Sequence, residues 1–495
     1  MTSLLALSSL ASLAQTDDRM DLRILGQQIA TEKNSLDLLH AHQRLHNYLL
    51  GYAEYLLFEL NAGRILNGEH LNQIKEGLSV YGISSLELYK SLSERESDIE
   101  SLTLRTHLTE SYFAIYKAYT DDSLLRKVIK DQLEFTLNNL DQFNQLKELL
   151  LNSESIEALE SKIKKVTFNE QDKSYQEIIK SSVSYSLIEN NVELKSYFKI
   201  EGHFQDRLNS LLSSIANGLS RAFGTLIGGI EWRSGHIYQN KAFKIELEKS
   251  LKPLDILFEK KSFKLTDKTI PGNWGHTAIW LGTKQQLLDL GLWGEAELAP
   301  FREQIENGNS IFEMRKWGTQ FDSLENFLNL DEIAVTRVKD IKVRTKSELL
   351  RVFELLSEQF DKGYDFGFDA MATTKITCTE VIMLSYGAIN WPADKVLGRL
   401  AITPNNMAEI AVWNNTPVEF VSYHQAKDLH DIKSLSKEEF AKVIDYRLKP
   451  GFSDQYEKVN RVCKNKRYRR QGAIRMRRTC HDEYEDVNYY GPSLF

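Results

Sequence analysis

A long all-helical segment followed by an α+β domain is the fold class this sequence predicts, and three observations predict it. All eight prolines lie at or beyond Pro253. No glycine occurs between Gly82 and Gly202, so a long stretch of the first half lacks both strong chain breakers. After Lys252 the pattern changes to short apolar runs separated by turn residues, without regular βαβ alternation.

In the first half, Ser35 can cap a helix through Leu36, Leu39, Leu45, Tyr48, Leu49 and Tyr55 to Leu60, stopped by Asn61-Ala62-Gly63. A second helix is expected from about Leu108 through Tyr112, Ile115, Tyr116 and Tyr119. A third, from about Asp122 to Leu151, repeats Leu125, Val128, Ile129, Leu133, Leu137, Leu140 and Phe143. These fit an antiparallel bundle or a coiled-coil-like rod. His42 and His46 have a spacing that could bind metal from one helix face, but no third ligand is apparent nearby. Packing or surface roles are expected for them, and no metal or cofactor.

The expected organisation is a signal-like segment over 1–14, a helical domain over 20–200, and a connecting helix and linker over 201–250. A catalytic-type domain over 251–425 and a C-terminal extension over 426–495 complete it. Residues Leu4 to Ala14 are apolar and end in a small-x-small site, but lack a positive n-region. Export or a periplasmic location is slightly favoured over the cytoplasm. No run reaches the length a membrane span needs; Leu208 to Ile230 carries Arg221 and many small residues and reads as a packed helix. The overall charge of −7 gives no global reason to expect nucleic-acid binding.

In the second half, strands are expected at Leu254 to Phe258, Gly275 to Gly282, Gln286 to Leu290 as a hairpin partner of the preceding one, and Ile333 to Val338. A helix follows over Lys346 to Asp361, and Gly363 to Asp369 forms a loop. Thr377, with Glu380 three residues on and the apolar run Val381 to Leu384 behind it, predicts a capped helix start. Cys378 then occupies the first helical position, where unpaired N–H groups and the helix dipole favour a thiolate. A thiol nucleophile needs a base, and the base needs a group to hold its ring. His276, directly after Gly275, is the base candidate and Asp289 the orienting carboxylate. Taken singly, each has a bland reading: Cys378 and His276 as core residues, Asp289 as a hairpin end.

Four stretches together narrow this. Leu251-Lys252-Pro253-Leu254-Asp255-Ile256-Leu257, Gly275-His276-Thr277-Ala278-Ile279-Trp280-Leu281-Gly282, Gly363-Tyr364-Asp365 with Phe368-Asp369, and Thr377-Cys378-Thr379-Glu380-Val381 resemble, in that order, the permuted NlpC/P60 cysteine hydrolases of the YiiX/YebB type. The resemblance covers roughly 250 to 415. It implies a circularly permuted papain-like fold, with the histidine strand ahead of the cysteine helix. It also implies a thiol hydrolase with Cys378 as nucleophile, His276 as base, Asp289 as the variable third member and Tyr364 as a candidate oxyanion donor. This chain has Leu254 where that family usually shows glycine, and Thr379 where it often shows serine. The related lecithin-retinol acyltransferase pattern fits Thr377 to Glu380 poorly.

Cys463 and Cys480 are symmetric about Gln471-Gly472, so a hairpin turning there would set them opposite each other, as a disulfide requires. The same register sets Lys466 opposite Arg477, which weakens the hairpin, and two unrelated thiols are the alternative. Arg461 to Arg478 holds nine Lys or Arg in eighteen residues, a tail suited either to an anionic surface or to plain solvation. The expected function is a thiol hydrolase of peptide, isopeptide or related acyl bonds, with cell-wall or acylated substrates and no specific nucleic acid. A binding scaffold and an acyltransferase are the alternatives.

Overall fold

The computed structural model describes residues 22–32, 34–62, 64–92, 98–134, 137–169, 172–200, 233–263, 272–338, 345–365, 375–387, 389–396, 399–429, 431–470 and 473–490. The expectations for 1–14, for most of the linker at 201–250 and for the loop residues 366–369 fall on residues outside this set. The chain divides into two compact units, one with the helices before residue 200 and one with the elements after residue 233.

The helical unit is built around helices Ser35–Asn61, Gly68–Ser91 and Asp98–Thr120. Asn34, rather than Ser35, caps the first, its side chain accepting from the backbone of Leu36 and Asp37. Of the periodic residues, Leu39, Leu45, Leu49, Leu60, Leu108, Tyr112, Ile115, Tyr116 and Tyr119 are buried, and Leu36, Tyr48 and Tyr55 are partly buried. Tyrosine suits these positions because its hydroxyl can find a backbone acceptor. Tyr119 donates to the Leu49 carbonyl at 2.8 Å and Tyr112 to that of Phe143 at 2.7 Å. Within the helix expected over about 122–151 lie helices Ser123–Glu134 and Leu137–Leu150, with 135–136 outside the described residues.

The second unit is built on a seven-stranded antiparallel sheet. Its strands are β1 Asp255–Lys260, β2 His276–Trp280, β3 Ile311–Arg315, β4 Gly318–Asp322, β5 Glu332–Val338, β10 Val418–Ala426 and β11 Ile432–Leu435. They lie in the order β11-β10-β5-β1-β2-β3-β4. One face carries Leu257, Ala278, Trp280, Ile311, Ile333 and Val335, packed with Phe243, Leu247 and Phe327. Between β5 and β10 in the chain come two short pairs, β6 Gly363–Tyr364 with β7 Lys375–Ile376, and β8 Asp394–Val396 with β9 Arg399–Ala401.

The strand expected at Gln286 to Leu290 is instead helix Lys284–Asp289. Thr283 and Gln286 form a reciprocal capping box, and Lys, Gln and Leu that follow are good helix formers, so local propensity defeats the apolar run. The hairpin-like partner of β2 is therefore β3, some thirty residues further along.

β12 Tyr446–Leu448, β13 Tyr456–Arg470 and β14 Ala473–Asp486 form a separate sheet, in which β13 and β14 make a long two-stranded ribbon. Cys463 and Cys480 are register partners joined by a disulfide, their Cα atoms 4.0 Å apart, and Lys466 stands opposite Arg477. Among the described residues no helix is long and apolar enough to cross a membrane.

Candidate active site

Helix Cys378–Ser385 begins as its sequence dictates. Thr377 is the N-cap, its hydroxyl accepting from the Glu380 N–H while the Glu380 carboxylate accepts from the Thr377 N–H at 2.8 Å. Thr379 donates to the Ile402 carbonyl at 2.7 Å, which ties this first turn to the loop after β9. The helix is buried throughout and packs against β2 and β3. Cys378 thereby opens a helix beside the strand that begins with His276.

The imidazole of His276 has a partner on each side. Its Nε2 is 2.9 Å from Glu313 Oε2, and the ring also interacts with the Cys378 thiol, whose ionised form the backbone N–H of Thr277 favours as well. With Nε2 engaged by the carboxylate, Nδ1 is the ring nitrogen left for sulfur. Register explains the meeting: Glu259 on β1 is the Cα partner of His276, and Glu313 on β3 is the partner of Ala278, two residues along. Alternation places Glu259, His276, Ala278, Glu313 and Arg315 on one face of three adjacent strands.

The electrostatics follow from burial set against contact. Burial and Arg315 press the His276 pKa down, but the charge and hydrogen bond of Cys378 and the bond to Glu313 outweigh them and raise it to about 9. Burial alone would push the Cys378 thiol up; the neighbouring imidazolium and the Thr277 N–H carry it below its ordinary value. Glu313 is held at about 2, the penalty of burial being overcome by Arg315 and His276.

Asp289 lies apart from this arrangement. It ends helix Lys284–Asp289, is exposed, and accepts from Gln285 of its own helix at 2.7 Å. The carboxylate against His276 is Glu313, which the sequence reading missed. Its signal was a single acid inside the apolar run Ile311-Phe312-Glu313-Met314, obscured by the helical insertion between β2 and β3.

Tyr364 ends β6, whose partner strand β7 leads into Thr377 and Cys378. Its pKa is raised, first by burial and then by the negative charge of Cys378. Leu254 has a backbone φ of +68°, a left-handed conformation that glycine adopts freely and leucine does not. That is the position at which the resembling enzymes usually carry glycine.

Residues 250–438 match the family of permuted papain-like amidases, YaeF/YiiX, C92. No curated protein and no solved structure matches the chain. The match takes in β1 to β11 and every residue of the Cys378 site, and leaves the helical unit and the ribbon outside it. A papain-like amidase or peptidase is a hydrolase, and the region is similar in sequence to that family.

His42 and His46 turn inward with His107 rather than forming a surface pair. His42 Nδ1 is 2.9 Å from His107 Nε2, His42 Nε2 is 2.9 Å from Ser85 Oγ, and His46 Nδ1 is 2.9 Å from Ser111 Oγ. Among the described residues there is no group of three or more His, Cys, Asp or Glu side chains arranged to hold a metal ion.

Proposed function

We propose that the Cys378 unit is a thiol-dependent hydrolase of the permuted papain-like NlpC/P60 kind. It cleaves peptide, isopeptide or related acyl bonds through Cys378, His276 and Glu313, and amides such as those of cell-wall peptides are its substrate class. The observation that carries this reading is His276 bonded to the buried Glu313 carboxylate through Nε2, on the strand against which the Cys378 helix packs, with the imidazole and the thiol shifting each other's ionisation. That is the arrangement a base needs to hold a thiolate as an ion pair.

The Cys378 thiolate attacks the carbonyl carbon, a C–S bond forms, and the carbonyl π pair moves to oxygen. The backbone N–H of Cys378, at a helix start that leaves such groups without intrahelical acceptors, and the Tyr364 hydroxyl donate to that oxygen. Collapse breaks the C–N or C–O bond as His276 Nδ1 passes its proton to the leaving group, leaving a thioester. His276, now neutral, takes a proton from water; hydroxide adds to the thioester, and the acid departs as the thiolate–imidazolium pair is restored. Glu313 keeps its charge throughout and holds the ring.

The test is covalent labelling by a thiol-directed acyl probe at pH 7, read by intact mass and peptide mapping. One equivalent on Cys378 is expected for the wild type, none for Cys378→Ala, and a rate lower by about 10²-fold or more for His276→Ala. Label that persists in Cys378→Ala, or that maps to Cys463 or Cys480, would refute the assignment.

A further inference from the structure

The carboxylate that holds His276 is itself held by a partly buried cation, and that cation by a second, buried carboxylate. Glu313 Oε2 takes the imidazole, while Glu313 Oε1 accepts from Arg315 Nε at 2.9 Å and from Gln320 Nε2 at 2.9 Å. The two remaining guanidinium nitrogens of Arg315 bond Glu259, at 3.0 Å to Oε1 and 2.9 Å to Oε2. Lys261 Nζ lies 3.2 Å from Glu259 Oε2. Both carboxylate side chains are almost wholly buried, at 3% and 0% exposure, where an unpaired charge would be prohibitive. Glu259, Arg315, Glu313 and Lys261 sum to zero, so the thiolate and imidazolium of Cys378 and His276 balance each other alone.

Buried ion pairs add little net stability, and apolar residues of similar shape commonly replace them without loss. A second buried carboxylate, Glu259, and a partly buried guanidinium beyond Glu313 and its histidine are thus poorly explained as packing. All three guanidinium nitrogens are used, a task the single nitrogen of lysine cannot perform.

We infer that Arg315, braced by Glu259, is a positioning residue of this site: it fixes the Glu313 carboxylate, ionised and aimed at His276 Nε2, and so keeps Nδ1 turned to Cys378. The inference rests on the Cys378–His276–Glu313 reading above. Two variants test it. Arg315→Lys keeps the charge but cannot bridge both carboxylates; Glu259→Gln/Arg315→Met removes the brace while leaving the local charge balanced by Glu313 and Lys261.

Two readouts need no substrate: the downfield proton signal of the His276 Nε2–H bond, assigned by its loss in Glu313→Gln, and the pH dependence of Cys378 alkylation by iodoacetamide. In both variants, with native circular dichroism, the signal should broaden or vanish. The acid limb of alkylation should move up by about one pH unit, a roughly tenfold slower reaction near pH 6. An unchanged signal and an unchanged profile in either folded variant overturn the inference, as does failure of both to fold, which would make the brace structural. If the wild type itself shows no downfield signal and an ordinary thiol profile, the Cys378–His276 pair is wrong, and the inference falls with it.

Discussion

Cys378 and His276 are the residues whose ionisation governs this site, and the direction of each shift fixes the shape of its pH dependence. The thiolate–imidazolium pair is lost to acid when Cys378 protonates, below its ordinary thiol value, and to alkali as His276 loses its proton through about 9. Acyl turnover, which needs the imidazolium proton for the leaving group, should fall as pH rises through about 9. Alkylation of Cys378 should not, because it needs only the thiolate. Stopped-flow acylation and iodoacetamide kinetics over one pH range check this; a parallel fall in both rates would contradict it. The stability linkage has the same signs. The raised His276 contributes fully below its unfolded value near 6.5 and loses that contribution as pH passes about 9. Glu313, depressed to about 2, contributes above its unfolded value near 4.5 and loses that contribution in strong acid. Leu254 makes a different residue-scale prediction. It is buried, and its φ of +68° costs a side-chain-bearing residue about 1–2 kcal/mol. Leu254→Gly should therefore unfold at higher urea than Leu254→Ala, by about 1 kcal/mol, although both lose the buried side chain.

At the scale of elements, two segments with similar apolar content met different fates. Thr283 to Asp289 became a helix because a Thr-x-x-Gln capping box acts within one turn. Ile311 to Arg315 became the strand beside β2, a choice made by pairing with a distant segment. The β13–β14 ribbon is the third element with a consequence of its own. From Arg461 to His481 its sequence contains no Asp or Glu and nine Lys or Arg, in a chain whose overall charge is −7. The disulfide between Cys463 and Cys480 closes the covalent loop that carries most of this charge. Binding to an anionic surface is expected to reside in this element. Retention on a heparin resin should drop steeply with added salt and disappear on deletion of 461–481. Retention that survives the deletion would place the contact elsewhere.

At the scale of the whole molecule, the helical unit carries an acid-sensitive core of its own. His42, His46 and His107, on helices Ser35–Asn61 and Asp98–Thr120, are grouped with Ser85, Ser111 and Tyr81. Burial first, and for His42 and His107 mutual repulsion with neighbouring histidines as well, lowers all three: His107 to about 3, His46 to about 4, and His42 well below 6.5. A base with a depressed folded pKa binds its proton more readily when unfolded. Stability should thus fall as pH drops from 6.5 toward 4, by up to about 1.4 kcal/mol per pH unit for each histidine. The urea midpoint followed by helical circular dichroism should decline over that range, and His107→Gln should flatten the decline. An equal slope in that variant would show that other groups carry the acid sensitivity.

The sequence by itself determined what acts over short distances. The helical first half follows from the absence of proline and glycine and from a 3.6-residue apolar period. The capped start at Cys378 follows from Thr377 and Glu380, and candidacy of Cys378 and His276 from ordered motifs. Tertiary structure alone decided which carboxylate meets His276. Asp289 is near it in sequence but is carried away on a helix; Glu313 is remote, yet strand register brings it to 2.9 Å. The Arg315–Glu259 brace and the inward histidine cluster were hidden for the same reason. Local capping and periodicity are written within a few residues, whereas the partner of a buried charge is chosen by pairing across strands or helices whose spacing no local pattern encodes.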